Sequence, residues 1–252
     1  MNDVAIIVGS GFAQANLVTT ELVDIDTPYG RPSSPLLRLG IGSREILAIA
    51  RHGLASTIAP HLVNYRANVW ALRESGVRRC IGLNIVGGIT AQMHPGTLAV
   101  PNQIIDYTWG RESSFGSLDD SDGRVVHVDV SEPFSSAMCG ALERGIVSCG
   151  LPLHRGVYAV TQGPRLETAA EVDKLDRDGC DFVGMTAMPE AALAREAGIE
   201  YAVLAGIVNY AAGRAPDAMP LHEQMMQTVD RVMRSSAEVL EFALDDLISA
   251  DL

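Results

Sequence analysis

Short β-branched runs, each halted by glycine, proline or a polar residue, alternate with helical stretches along nearly the whole chain. That alternation is the strongest constraint on the fold. Strands separated by helices build a largely parallel sheet covered on both faces. Val4 to Val8 is one such run, and Gly9-Ser10-Gly11 stops it in a tight turn. Further strands are expected at Leu36 to Leu39, Glu45 to Ala50, Arg79 to Val86, Gly96 to Val100, Ile104 to Thr108, Gly156 to Thr161, Asp181 to Met185 and Tyr201 to Asn209. Pro101 is expected to end the strand before it. Helical spacing and caps predict helices over Asn64 to Ser75, Ser135 to Gly150, Thr168 to Asp178, Pro189 to Ala197 and His222 to Ser249. Trp109 to Arg124 and Ala211 to Pro220 are turn-rich and read as mobile loops. No repeat, low-complexity tract or linker divides the chain. The expectation is one α/β domain over 1–252, with a mixed, largely parallel central sheet flanked by helices.

Charge narrows the function. The net charge is −12, and the 19 Lys and Arg residues form no run. A nucleic-acid binder needs a basic stripe to displace counterions, so that class is set aside. The four cysteines form no CxxC pair, and no histidine stands at ligand spacing from them. They read as reduced thiols, with no metal site. A basic apolar leader and a membrane-length apolar run are both missing from the sequence, so a cytoplasmic protein without membrane contact is expected.

Five strand ends carry groups that suit a small anion beside a heteroaromatic ring. Gly9-Ser10-Gly11 offers backbone N–H groups and a hydroxyl, which suit phosphate but equally make a plain turn. Gln14 stands where a dinucleotide fold would place its third glycine. Arg51-His52 ends a strand, offering a guanidinium fork and an imidazole. Glu167 precedes Thr168 at a helix start and is either a ligand or a cap. Thr186 ends another strand, again as a ligand or an N-cap, and Asn209 ends the last.

These segments, in this order, resemble the methylthioadenosine phosphorylase branch of the trimeric purine nucleoside phosphorylases. The most specific stretches are Arg51-His52-Gly53, Val63 to Leu72, Gln162-Gly163-Pro164-Arg165 and Met185 to Glu190. His127 and Ser131-Glu132-Pro133-Phe134 resemble the family segment that reaches into a neighbouring subunit's site. The resemblance implies the nucleoside phosphorylase fold, a homotrimer or hexamer, and phosphate as co-substrate without a cofactor. It assigns Ser10, Arg51, His52, Asn84, Ile85 and Thr186 to phosphate and Met185 to the ribose. His127 would come from the neighbouring subunit.

The sequence departs from the adenine-specific branch where that branch has Ser, Asp and Asp; here stand Glu167, Asn209 and Ala211. The Glu–Asn pair resembles that of 6-oxopurine phosphorylases. A carboxylate at 167 accepts from N1–H of a keto-purine, and the amide at 209 donates to O6 and accepts from N7–H. An ionised Asp cannot donate to O6. The resemblance puts Val229 near the 5′ substituent, which favours methylthio; His222, nearby, is able to bind a 5′-hydroxyl instead. Together these features predict phosphorolysis of S-methyl-5′-thioinosine, with Asn209, Glu167 and His52 as the catalytic groups. The alternatives are a general inosine/guanosine phosphorylase, a methylthioadenosine phosphorylase, a nucleotide-binding dehydrogenase, and a non-catalytic binding protein.

Overall fold

A computed structural model describes residues 3–9, 18–42, 44–116, 127–216 and 221–249, without the side chains of residues 18, 221–224 and 249. Its strands are β1 (Val4–Val8), β2 (Val18–Val23), β3 (Leu36–Ile41), β4 (Arg44–Ala50), β5 (Arg79–Gly88), β6 (Leu98–Asp106), β7 (His154–Val160), β8 (Phe182–Gly184) and β9 (Glu200–Tyr210). The helices are α1 (Tyr65–Glu74), α2 (Ser136–Ser148), α3 (Ala169–Arg177), α4 (Ala187–Glu196) and α5 (Leu221–Ser249).

The strands form one mixed sheet in the order β2-β3-β4-β1-β5-β8-β7-β6-β9. Because β9 also pairs with β5, the strands β5, β8, β7, β6 and β9 close into a small barrel. Among the described strands, five pairings are parallel and four antiparallel, so parallel pairing predominates only slightly.

β1 shows why the sheet is buried on both faces. All five of its residues are buried; Ala5 and Ile7 enter one apolar cluster, and Val4, Ile6 and Val8 enter the other. The first cluster includes Val69 and Leu72 of α1 and Ala191 and Leu193 of α4. The second includes Met138 and Leu142 of α2 and Val232 and Leu240 of α5. Truncating a fully buried aliphatic such as Ile6 to Ala would cost about 2–5 kcal/mol.

Two expectations need correction. A strand at Val18–Val23 went unpredicted; its consecutive residues Thr19, Thr20, Glu21 and Leu22 are all exposed, and β2 pairs only with β3 at the sheet edge. Pro101 does not end its strand: β6 runs from Leu98 to Asp106 and absorbs the segment expected as a separate strand. The pairing with β7 shifts register between Pro101 and Gln103, so a bulge accommodates the residue that cannot donate to the ladder.

Candidate active site

The helix starts decide which polar side chains are left for a ligand. At α3, the Thr168 hydroxyl accepts from the Glu171 N–H at 3.2 Å, and the Glu171 carboxylate accepts from the Thr168 N–H at 2.8 Å. That reciprocal box caps the helix. Glu167 therefore does not serve as the cap. Its Oε1 accepts instead from the Thr161 hydroxyl at 2.6 Å. Thr186 precedes α4 but makes no side-chain capping bond. It hydrogen-bonds to the Tyr158 oxygen.

One cavity gathers most of the expected residues. Arg51, His52, Asn84, Ile85, Glu167, Met185, Thr186, Asn209 and Ala211 all line it, with Gly9, Gly87 and Met225. Gly9, Arg51 and Asn209 come from the carboxyl ends of the mutually parallel β1, β4 and β9, where ligands of α/β sheets collect. β8 runs antiparallel to β5, but their pairing spans only Gly87–Val183 and Gly88–Phe182, so Met185 emerges beside the same point. In β9, a register shift leaves Val208 unpaired opposite the Val86–Gly87 step. The bulge sits where Val208 and Asn209 both line the cavity.

Two glycines make room. A Cβ on Gly9 would lie 2.8 Å from Arg51 Nη1, and one on Gly87 would lie 3.1 Å from Asn209 Nδ2. Asn209 Nδ2 donates one hydrogen to the Tyr210 carbonyl at 2.7 Å, which leaves its second hydrogen available.

Arg51 is fully buried and sits in a network the sequence did not disclose. Its Nε and Nη2 grip both oxygens of buried Glu190, and Nη2 also donates to Asn84 Oδ1 at 2.8 Å. Glu190 accepts from the Tyr201 hydroxyl at 2.8 Å, and Asn84 Nδ2 donates to the Tyr158 oxygen at 3.2 Å. Burial opposes the charge on Arg51, but the Glu190 carboxylate prevails and holds its pKa above the ordinary value. The least committed donor is Nη1, whose bond to the Leu83 carbonyl is 3.3 Å. A buried arginine demands a carboxylate. That rule was the available signal for Glu190, which closes one of the stretches carrying the family resemblance.

His52 Nδ1 lies 2.8 Å from the Ile58 carbonyl. A carbonyl only accepts, so Nδ1 carries the hydrogen, and the neutral ring has Nε2 as an acceptor. Burial and the adjacent Arg51 charge lower the His52 pKa from its ordinary 6.5. Burial raises that of Tyr158 to about 12, which keeps its hydroxyl protonated.

Other expected residues lie elsewhere. Ser10 is outside the described residues, and so is the side chain of His222 in α5. Val229 is half-buried and packs against the second apolar cluster rather than lining the cavity; Met225, one turn earlier, does line it. His127 is exposed and is not among the lining residues of its own chain's cavity.

Residues 3–245 match the family model described as the phosphorylase superfamily. The chain belongs to the phosphorylase superfamily. Within it, the chain is 45% identical over 234 residues to a protein of Xylella fastidiosa (strain 9a5c) named probable S-methyl-5′-thioinosine phosphorylase, covering 92% of this chain and 98% of that one. It is 38% identical to the 6-oxopurine nucleoside phosphorylase of Pyrococcus furiosus, covering 97% and 91%. Among solved structures, methylthioadenosine phosphorylase from Schistosoma mansoni in complex with adenine superposes with a TM-score of 0.89 at 32% identity, covering 98% of this chain and 92% of that one. Membership of this superfamily sets aside the dehydrogenase alternative, which rested on the Gly9-Ser10-Gly11 turn alone.

Proposed function

We propose that this phosphorylase cleaves 6-oxopurine 5′-methylthionucleosides, converting S-methyl-5′-thioinosine and phosphate into hypoxanthine and 5-methylthioribose 1-phosphate. The observation that carries the reading is the joint placement of Glu167, Asn209 and the Arg51–His52 pair in one cavity, with Glu167 released from helix capping. The names of the Xylella and Pyrococcus relatives agree with it.

Phosphate would sit against Arg51 Nη1, His52, the middle of β5 at Asn84 and Ile85, and the Thr186 hydroxyl, with Ser10 adding its own. As the C1′–N9 bond stretches, the ribosyl carbon gains cationic character, and a phosphate oxygen supplies the electron pair of the new C1′–O bond. The electron pair of the broken bond moves onto the purine. Glu167 accepts from N1–H, and Asn209 donates to O6 and accepts from a proton arriving at N7. Met185 flanks the ribose. The apolar side chain of Met225 lines the cavity and suits a methylthio group better than a hydroxyl. This reaction calls for no metal or organic cofactor.

The reading extends to assembly and location. Exposed His127 suits a role in a neighbouring subunit's site within a homotrimer. The four cysteines are unpaired, which agrees with a reducing cytoplasm. Among the described residues, no helix is long and apolar enough to cross a membrane.

The test is a phosphate-dependent assay of S-methyl-5′-thioinosine, inosine and S-methyl-5′-thioadenosine under identical conditions. The highest kcat/KM is expected for S-methyl-5′-thioinosine. A higher value for inosine would overturn the 5′ assignment. A higher value for S-methyl-5′-thioadenosine would overturn the base assignment.

A further inference from the structure

Arg111 lies in the stretch that reads from sequence as a mobile loop, yet its half-buried guanidinium joins two segments of the site. Nη1 donates to the carbonyls of Met185 at 2.8 Å and Met188 at 2.7 Å. Nη2 donates to the carbonyls of Gln162 at 2.8 Å and Thr161 at 3.3 Å, and Nε to the Gln162 side chain at 3.2 Å. Among the described residues, no carboxylate forms an ion pair with Arg111. A buried or half-buried arginine ordinarily finds an acid; this one spends its fork on four backbone carbonyls, the Gln162 side chain and, at 3.3 Å, the Tyr65 hydroxyl.

The two segments have different work in the site. Thr161 and Gln162 open the loop that carries Glu167, at the base end. Met185 and Met188 flank Thr186, at the phosphate end. The segments also touch directly: a Cβ on Gly163 would lie 2.5 Å from the Met185 sulfur. The stretch bearing Arg111 is itself anchored. Glu196 accepts from the Phe115 N–H at 3.0 Å, and the Tyr29 hydroxyl donates to the Phe115 carbonyl at 3.1 Å.

We propose that Arg111 is a positioning residue that fixes the separation of the base-gripping and phosphate-binding loops, holding leaving group and nucleophile in line. The inference rests on the assignment of Glu167 to the base and Thr186 to phosphate. Each loop alone still offers its ligand the same groups when Arg111 is lost. What disappears is their mutual alignment, which acts on kcat rather than on either KM. Lysine is no substitute, because three donors on one nitrogen cannot span acceptors on two segments.

The experiment is steady-state kinetics of Arg111→Lys and Arg111→Ala with both substrates varied, the Ala variant also with added guanidinium ion, and melting temperatures for both. Both variants are expected to lose about 100-fold in kcat. Each KM should stay within about threefold. Guanidinium should restore part of kcat in Arg111→Ala and none in wild type. The proposal is overturned by a lysine variant with wild-type kcat, by a KM effect at unchanged kcat, or by failure of guanidinium to rescue a folded Ala variant. If Arg111→Ala does not fold, the lysine variant decides by the same kcat-against-KM split. Loss of folding in both would also overturn the proposal, since Arg111 would then be a residue of stability. The underlying assignment fails separately: Glu167→Ala would then weaken phosphate binding instead of hypoxanthine binding, whatever Arg111 does.

Discussion

The Thr161 hydroxyl donates to Glu167 Oε1 at 2.6 Å, fixing one carboxylate oxygen and leaving the other to a ligand. A hydrogen bond to a charged group is worth about 1.5–3 kcal/mol. Thr161→Val should therefore lower kcat/KM for the keto-purine nucleoside by about 10–100-fold. The KM for phosphate should not move. Initial rates with each substrate varied check this, and equal loss toward both substrates would contradict it.

Exchanging the base-recognising pair should move the substrate preference. Glu167→Ser with Asn209→Asp removes the acceptor for N1–H and replaces the donor to O6 by a carboxylate. Each unsatisfied buried group costs about 1–3 kcal/mol, so the ratio of kcat/KM for S-methyl-5′-thioinosine over S-methyl-5′-thioadenosine should fall by at least about tenfold. An unchanged ratio in the folded double variant would reject the specificity argument.

The Arg51–Glu190 pair carries stability as well as position. Removing one member of a buried pair leaves a bare charge, at a cost of about 3–5 kcal/mol. Glu190→Ala should show that loss in denaturant unfolding, and so should Glu190→Gln, which keeps the shape but loses the charge and turns one acceptor oxygen into a donor facing other donors. Equal stability of Glu190→Ala and wild type would show that Arg51 is not buried as described.

His52 gives a pH signature. Its pKa is lowered, so the ring stays neutral below 6.5, down to the lowered value, and Nε2 only accepts. The proton in the contact must then come from phosphate. Both H2PO4⁻ and HPO4²⁻ carry a hydroxyl that donates to Nε2, so the contact survives the second ionisation of phosphate, and KM for phosphate should show no break above pH 6.5 that belongs to His52. His52→Gln, whose amide oxygen also accepts, should keep the same profile. A break above pH 6.5 in the wild type that His52→Gln removes would count against this arrangement.

The sequence disclosed the strand ends better than the links between them. Arg51, Thr186 and Asn209 were legible because each closes or follows an apolar run, where side chains have little core to join, and Glu167 because it stands just before a helix start. Local periodicity cannot show which of them share a cavity, because β5–β9 pairing and barrel closure are non-local. β2 escaped notice because exposed edge residues leave no apolar alternation to read. Pro101 misled because a bulge, invisible in one dimension, absorbs it. Arg111 was hidden by its setting: a polar residue in a turn-rich stretch has no spacing that betrays six oxygen acceptors, five on two other segments of the site and one on α1. The choice between cap and ligand at Glu167 was open until Thr168 and Glu171 were seen bonded to each other.

Selection of a keto-purine by the Glu167 carboxylate and the Asn209 amide is most directly tested by equilibrium binding of free hypoxanthine and adenine to the phosphate-saturated protein. Two mismatched buried contacts predict that hypoxanthine binds more tightly by about 2–6 kcal/mol, or roughly 30-fold and upward. Adenine binding as tightly as hypoxanthine, or more tightly, would contradict it.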